Sequence, residues 1–243
     1  MRYLIKFSYD GSNFFGYQKQ PGKRTIEGEF ERALFDINNH TETRIFSSGR
    51  TDAGVHALCQ TAHFDLNINI TLYKLKCALN SLLPEDIHVI STEIVDDDFH
   101  ARYLVKNKTY RYIINCGEFE PTKRNFEYQY NKQLNYYKME KAIKFFIGEH
   151  NFKSFVSEES IKNNYIRNIE KANIEYKNDK LTIEFSGSGF MKYQVRNMVG
   201  TLIKIGREKL QINIIEDLLN SEDNRKVVTT APACGLYLAN VEY

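Results

Sequence analysis

Apolar and polar residues alternate along residues 1–9, placing Tyr3, Ile5, Phe7 and Tyr9 on one side. A period of two is that of a half-buried strand. Asp10-Gly11-Ser12-Asn13 then forms a cluster of turn residues. From Thr25 to Asn38 the period changes, and Ile26, Phe30, Ala33, Leu34 and Ile37 make the stripe of an amphipathic helix. Ile45 and Phe46 begin a short strand that runs into Ser47-Ser48-Gly49-Arg50-Thr51-Asp52-Ala53-Gly54. Alternation returns from Gln60 to Leu66, with Ala62, Phe64 and Leu66 inward. Thr71 can cap a helix carrying Leu72, Leu75, Leu79 and Leu82, which Pro84-Glu85-Asp86 stops. Ile87 to Val95 reads as a further strand.

The rest of the chain repeats this plan. A strand is expected over Lys108–Asn115, and a helix over Leu134–Phe146 ending at Gly148. Two strands, Ile166–Tyr176 and Leu181–Phe185, are joined through Asn178-Asp179, a hairpin-type turn. Helices over Tyr193–Ile205 and Ile212–Leu219 precede a last strand, Gly235–Val241. The order predicts an α+β protein of two similar halves, 1–103 and 104–243, with mainly antiparallel sheets of ferredoxin-like or RRM-like type and helices on one side. No flexible linker separates them, so the two sheets are expected to be continuous. The acidic run Asp96-Asp97-Asp98 at the junction suits a solvated loop.

Composition narrows the classes. At 243 residues the chain can bury one large core or two smaller ones. Four Pro and 13 Gly argue against low complexity. Cys59, Cys77, Cys116 and Cys234 are far apart, without a C-x-x-C, which predicts reduced thiols and no structural zinc. The first residues alternate and carry charge, and no segment is apolar enough for a membrane span, so a cytoplasmic protein is expected. His56 and His63 lack the companions a metal site needs and read as core or loop histidines.

Net charge is only +2, so a nucleic-acid partner has to be argued from local clusters. Arg2, Lys6, Lys19, Lys23 and Arg24 face one acid, Asp10, in the first 24 residues, with Tyr and Phe interleaved. Lys192, Arg196, Lys204, Arg207 and Lys209 oppose only Glu208. Such excesses suit an RNA backbone and its bases, and they equally suit charged solvated faces.

The most telling segment is Gly49-Arg50-Thr51-Asp52-Ala53-Gly54-Val55-His56-Ala57. Glycines on either side of an Arg and an Asp allow tight turns and close approach of a ligand. A loop on a rigid sheet is a common seat for catalysis. By residue chemistry alone the same segment also suits a polar turn with an exposed Arg–Asp pair.

These nine residues resemble, without a mismatch, the signature of TruA-type tRNA pseudouridine synthases. Further blocks of that family follow in order. Tyr9-Asp10-Gly11-Ser12-Asn13-Phe14-Phe15-Gly16-Tyr17-Gln18 resembles its opening, with Tyr17 where Trp is usual. Thr25-Ile26-Glu27-Gly28, Phe99-His100-Ala101-Arg102, Lys108-Thr109-Tyr110-Arg111-Tyr112, Gly189-Phe190-Met191 with Val195-Arg196-Asn197-Met198-Val199-Gly200, and Ala231-Pro232-Ala233-Cys234-Gly235-Leu236-Tyr237-Leu238 match the others. At Gly206-Arg207-Glu208-Lys209 the chain departs from a commoner G-R-G-K.

The resemblance implies isomerisation of uridine to pseudouridine at positions 38, 39 and 40 of the tRNA anticodon arm. It implies no cofactor and no metal, and a homodimer in which tRNA contacts both copies. Asp52 is then the catalytic carboxylate, attacking sugar or base or removing the C2′ proton; the sequence leaves these open. All three require the anion. Burial would raise an Asp from about 3.9, and a nearby Arg would lower it again. By resemblance Arg196 is that partner, Tyr110 stacks on the uracil and assists proton transfer at C5, and Arg50 fills the space left by the extruded base. Leu236 supplies the apolar side of the pocket, and the second half completes the cleft. Lys19, Lys23 and Arg24 are expected to hold RNA. Two other readings are a related synthase with different target uridines and a non-catalytic RNA-binding or RNA-folding protein.

Overall fold

A computed structural model describes residues 1–156, 164–221 and 228–243. They gather into two units, Met1–Lys106 with Tyr237–Tyr243, and Asn107–Leu236. Both are α+β with mainly antiparallel pairing, as the hydrophobic periods predict.

In the first unit β1 (Arg2–Tyr9) is followed by α1 (Ile26–Ile37), β2 (Phe46–Ser47), β3 (His56–Asp65), α2 (Leu72–Leu82) and β4 (Ile87–Val95). β1 lies between antiparallel β3 and β4, with Ile5 opposite both Ala62 and Thr92. The alternating residues Tyr3, Ile5, Phe7 and Tyr9 are all buried. Thr25 caps α1, its hydroxyl accepting from the Gly28 N–H (3.3 Å), and Thr71 caps α2 through the Lys74 N–H (3.4 Å). Of the four leucines expected along α2, Leu75 and Leu79 are buried, while Leu72 and Leu82 at its ends are exposed. Asp96, Asp97 and Asp98 are exposed, as a solvated loop requires.

The second unit contains β5 (Asn107–Asn115), β6 (Tyr128–Gln129), α3 (Tyr136–Ile143), β7 (Gly148–Asn151), β8 (Ile166–Lys177), β9 (Lys180–Gly187), α4 (Gln194–Gly206) and α5 (Ile214–Asn220). β9 lies between β5 and β8, and β7 pairs with β8, all antiparallel. Asn178 and Asp179 both take positive φ, 51° and 58°, between the paired Lys177 and Lys180. Positive φ at both central residues is what a two-residue hairpin needs, and Asn and Asp tolerate it. The last strand, β10 (Leu236–Glu242), runs parallel to β3, with Tyr237 opposite His56 and Leu238 opposite Ala57.

The four cysteines are free thiols. Among the described residues no helix is long and apolar enough to cross a membrane.

Candidate active site

Asp52 sits half-buried in the loop between β2 and β3, and contacts from three directions fix that loop's backbone. At its start, Gln60 on β3 is fully buried and donates from Nε2 to the Gly49 carbonyl (2.9 Å), while its Oε1 accepts from the Ser48 hydroxyl (2.6 Å). The Ser47 hydroxyl donates to the same Gly49 carbonyl (2.9 Å). In the middle, the Tyr17 N–H donates to the Thr51 carbonyl (3.0 Å), and the Thr51 hydroxyl pairs with the Tyr9 phenol (2.8 Å). Burial pushes the Tyr9 phenol up to about 12, with Thr51 and Gln60 opposing in part, so it keeps its proton. At the far end the Val55 N–H closes a turn on the Asp52 carbonyl (3.2 Å).

The segment after β1 packs directly onto this loop. A Cβ on Gly11 would lie 2.0 Å from the Val55 carbonyl oxygen, so only glycine fits. Gly16 has φ +89°, and a Cβ there would meet the Thr51 oxygen at 2.9 Å. The two glycines of the opening block thus let one backbone lie against another.

His56 anchors the contact from β3. It is 1% exposed, and its Nδ1 is 3.1 Å from the Gly11 N–H and 3.2 Å from Asp10 Oδ1. One nitrogen cannot accept from the first and donate to the second at once. Asp10 Oδ1 already accepts from the Ser12 N–H (2.9 Å) and hydroxyl (2.6 Å), so the arrangement favours an unprotonated Nδ1 accepting from Gly11. The ring stacks on Tyr237 of β10 (4.8 Å, 23°). His63 is also buried, and its Nδ1 accepts from the Ala101 N–H (3.1 Å). Both histidines tie backbone together, in keeping with their expected core role.

The cations of this unit differ in their ties. Arg50 is exposed and makes no ion pair or side-chain hydrogen bond among the described residues. Lys23 lies over the Phe15 ring (4.4 Å). Lys19 pairs with Glu31 (2.6 Å). Arg24 makes a forked pair with Asp86 (2.7 and 2.8 Å) and covers the Phe14 ring (4.1 Å). A fork of that kind fixes a guanidinium in place.

Tyr110, Arg196 and Leu236 belong to the second unit. Tyr110 on β5 is 8% exposed and meets Phe190 edge-on (5.2 Å, 76°). Arg196, in the first turn of α4, donates from Nε to the Ala231 carbonyl (2.8 Å), and its own carbonyl accepts from the Ala231 N–H (3.0 Å). Its guanidinium lies over the Tyr193 ring (5.1 Å). Thr230 bonds Asn197 Oδ1 (2.7 Å), and the Tyr112 phenol donates to the Pro232 carbonyl (2.8 Å). The Ala231–Leu236 segment is therefore held between α4 and β5, with Leu236 buried at its end.

Tyr9, Gln60 and the Thr51 hydroxyl were not singled out by sequence. Their bonds span 42 residues for Tyr9–Thr51 and 11 for Gln60–Gly49, and no linear spacing announces them. Among the described residues no group of three or more His, Cys, Asp or Glu side chains is placed to hold a metal ion.

Comparison with known proteins places these features in context. Residues 5–104 and 142–243 match the family described as tRNA pseudouridine synthase. A protein of Limosilactobacillus reuteri called tRNA pseudouridine synthase A is 45% identical, over 100% of this chain and 96% of that one. Proteins of the same name from Streptococcus mutans and Streptococcus uberis are 41% and 40% identical, over the whole of this chain and 99% and 98% of theirs.

Proposed function

We propose, for a chain that belongs to the tRNA pseudouridine synthase family and so isomerises uridine in tRNA, that its targets are uridines 38, 39 and 40 of the anticodon arm and that Asp52 is the catalytic carboxylate. The observation that carries this reading is the loop at Gly49–Gly54, braced by Gln60, Tyr9 and Tyr17 around a half-buried Asp. A carboxylate on a loop fixed at three points loses little freedom when substrate arrives, as positioning for catalysis requires.

The reaction needs few parts. The bond from N1 to C1′ breaks, the uracil turns, and C5 bonds to C1′. C5 then gives up its proton and N1 ends protonated, so product and substrate are isomers and no electrons are supplied. Asp52 serves as nucleophile or as base for the C2′ proton. Tyr110 stacks on the uracil and assists at C5, and Arg196 keeps the Asp52 carboxyl ionised. Leu236 gives the pocket an apolar side. Arg50 occupies the place of the extruded base; its freedom from pairs with other described residues supports that role. Extrusion costs a few kcal/mol, which these contacts offset. Lys19, Lys23 and Arg24 border the RNA path, Lys23 being the one without an acidic partner among the described residues. The enzyme works in the cytoplasm as a homodimer, each tRNA touching both copies.

Two measurements test this. Asp52→Asn is expected to lower pseudouridine formation by at least about 10²-fold, the low end for a lost acid–base group, with unchanged thermal stability; near-normal turnover would remove Asp52 from the mechanism. Mapping pseudouridine in tRNA from cells lacking the protein should show loss at positions 38–40, and loss elsewhere would select a related synthase with other targets.

A further inference from the structure

The second unit carries an open groove of about 710 Å³. Its lining includes Tyr130, Lys132, Tyr136, Tyr137, Tyr176 and Arg207. Tyr130 to Tyr137 lie in the stretch 105–141 that the family match does not span. A groove of that volume lies within the usual range of a small-ligand site.

The rings are not equivalent. Tyr136 and Tyr176 pack against each other (6.2 Å, 32°), and both phenols are engaged, Tyr136 with Glu140 (3.1 Å) and Tyr176 with Asp179 (2.8 Å) and Gln133 (3.1 Å). They form a wall. Tyr137 is 74% exposed, and its ring meets Tyr136 edge-on (5.6 Å, 65°). It is an aromatic face held up toward water with nothing on it among the described residues.

The charges divide in the same way. Glu208 is taken up by Lys138 (2.8 Å) and Asn135 (3.0 Å). Lys132 and Arg207 are exposed and have no acidic partner among the described residues. Among the described residues the groove thus offers a stacking face and two cations without acidic partners. Aromatic faces take bases without regard to sequence, and unpaired cations take phosphates.

We propose that this groove holds an unpaired nucleotide segment of the substrate RNA, with a base on Tyr137 and its flanking phosphates on Lys132 and Arg207, as a second RNA contact outside the catalytic loop. The inference rests on the tRNA reading above. It adds binding strength and register rather than chemistry.

The test titrates the full-length protein with tRNA isolated from cells lacking it, over a series of salt concentrations. For Lys132→Gln/Arg207→Gln the magnitude of the slope of log K against log salt is expected to fall by roughly 1.4–1.8, about 0.7–0.9 per lost phosphate. Tyr137→Ala should raise Kd at least about fivefold with the salt slope unchanged, the signature of a lost stack. Tyr137→Leu, which keeps an apolar side chain, serves as the second variant should the alanine fail to fold. Wild-type Kd and slope in the variants would overturn the proposal. So would size-exclusion profiles in which the variants dissociate, because the groove would then be an interface between copies of this chain. If the wild-type protein itself neither bound nor modified this tRNA, the tRNA reading would fail first, and the two failures are distinguishable.

Discussion

Tyr17 stands where the family usually has Trp, and its surroundings show what that exchange leaves behind. The side chain is 1% exposed and its hydroxyl has no hydrogen-bond partner among the described residues. Burial pushes the phenol well above its ordinary range, with the nearby Ser47 opposing, and the Ser47 hydroxyl donates to the Gly49 carbonyl. A buried hydroxyl without a partner costs about 1–3 kcal/mol. Tyr17→Phe removes that hydroxyl and keeps the ring, so the melting temperature is expected to rise by a few degrees, at roughly 2–4 °C per kcal/mol for a chain this long. A clear fall in melting temperature would show that the hydroxyl has a partner. Asp52 needs no such departure: its two flanking glycines, its Arg and its Thr are adjacent in sequence, and that adjacency made the residue legible. The hydroxyl of Tyr9 and the amide of Gln60 were not legible, because folding alone brings them to the loop.

Among the elements, α4 carries the tightest constraint. A Cβ on Gly200 would lie 1.6 Å from the Thr229 carbonyl oxygen, so the helix touches the 229–231 backbone directly. Gly200→Ala must push that segment away and weaken the paired bonds between Arg196 and Ala231 (2.8 and 3.0 Å). In an open helix Ala would stabilise by about 1 kcal/mol. Here we expect a loss of about 1–3 kcal/mol, the overpacking range, read by denaturant titration. A gain would show that the contact gives way. The same helix accounts for the departure at Glu208, which follows its end with φ +60°. Glycine takes that backbone freely, and another residue there costs about 1–2 kcal/mol. The Lys138 and Asn135 contacts to its carboxylate offset part of the cost. Helix α1 was legible from its cap and stripe, and the β8–β9 hairpin from Asn178-Asp179. Strands β6 and β7, of two and four residues, are too short to show a period.

For the whole molecule, the pH dependence of stability follows from the histidines. Burial, with His100 and Arg2 adding, depresses His63 to about 4, and Asp65 opposes. Burial and Arg2 also lower His100. A base with a depressed folded pKa favours the neutral form, in which His63 Nδ1 accepts from Ala101. Its stabilising effect is therefore complete above the unfolded value near 6.5 and is lost as pH falls from there toward 4. Asp65, held below its ordinary value chiefly by its bond from Arg2, works in the same direction but below 3.8, so the two windows separate. The melting temperature is expected to fall between pH 6.5 and 4, and less steeply in His63→Gln. An equal slope in both proteins would assign the loss to other groups.

The sequence by itself determined the α+β class, the principal strands and helices, and the choice of the Gly49–Gly54 loop as candidate site, because periodicity, caps and short motifs are properties of neighbouring residues. Family membership followed from motifs in order along the chain. Tertiary structure alone decided that Tyr237–Tyr243 groups with the first unit, through parallel pairing with β3. It alone tied up Arg24 on Asp86 while leaving Arg50 without a partner among the described residues, and it alone gathered Lys132, Tyr137 and Arg207 around one groove. Those outcomes depend on which distant residues come to share a surface. A linear pattern holds no record of that until the chain has folded.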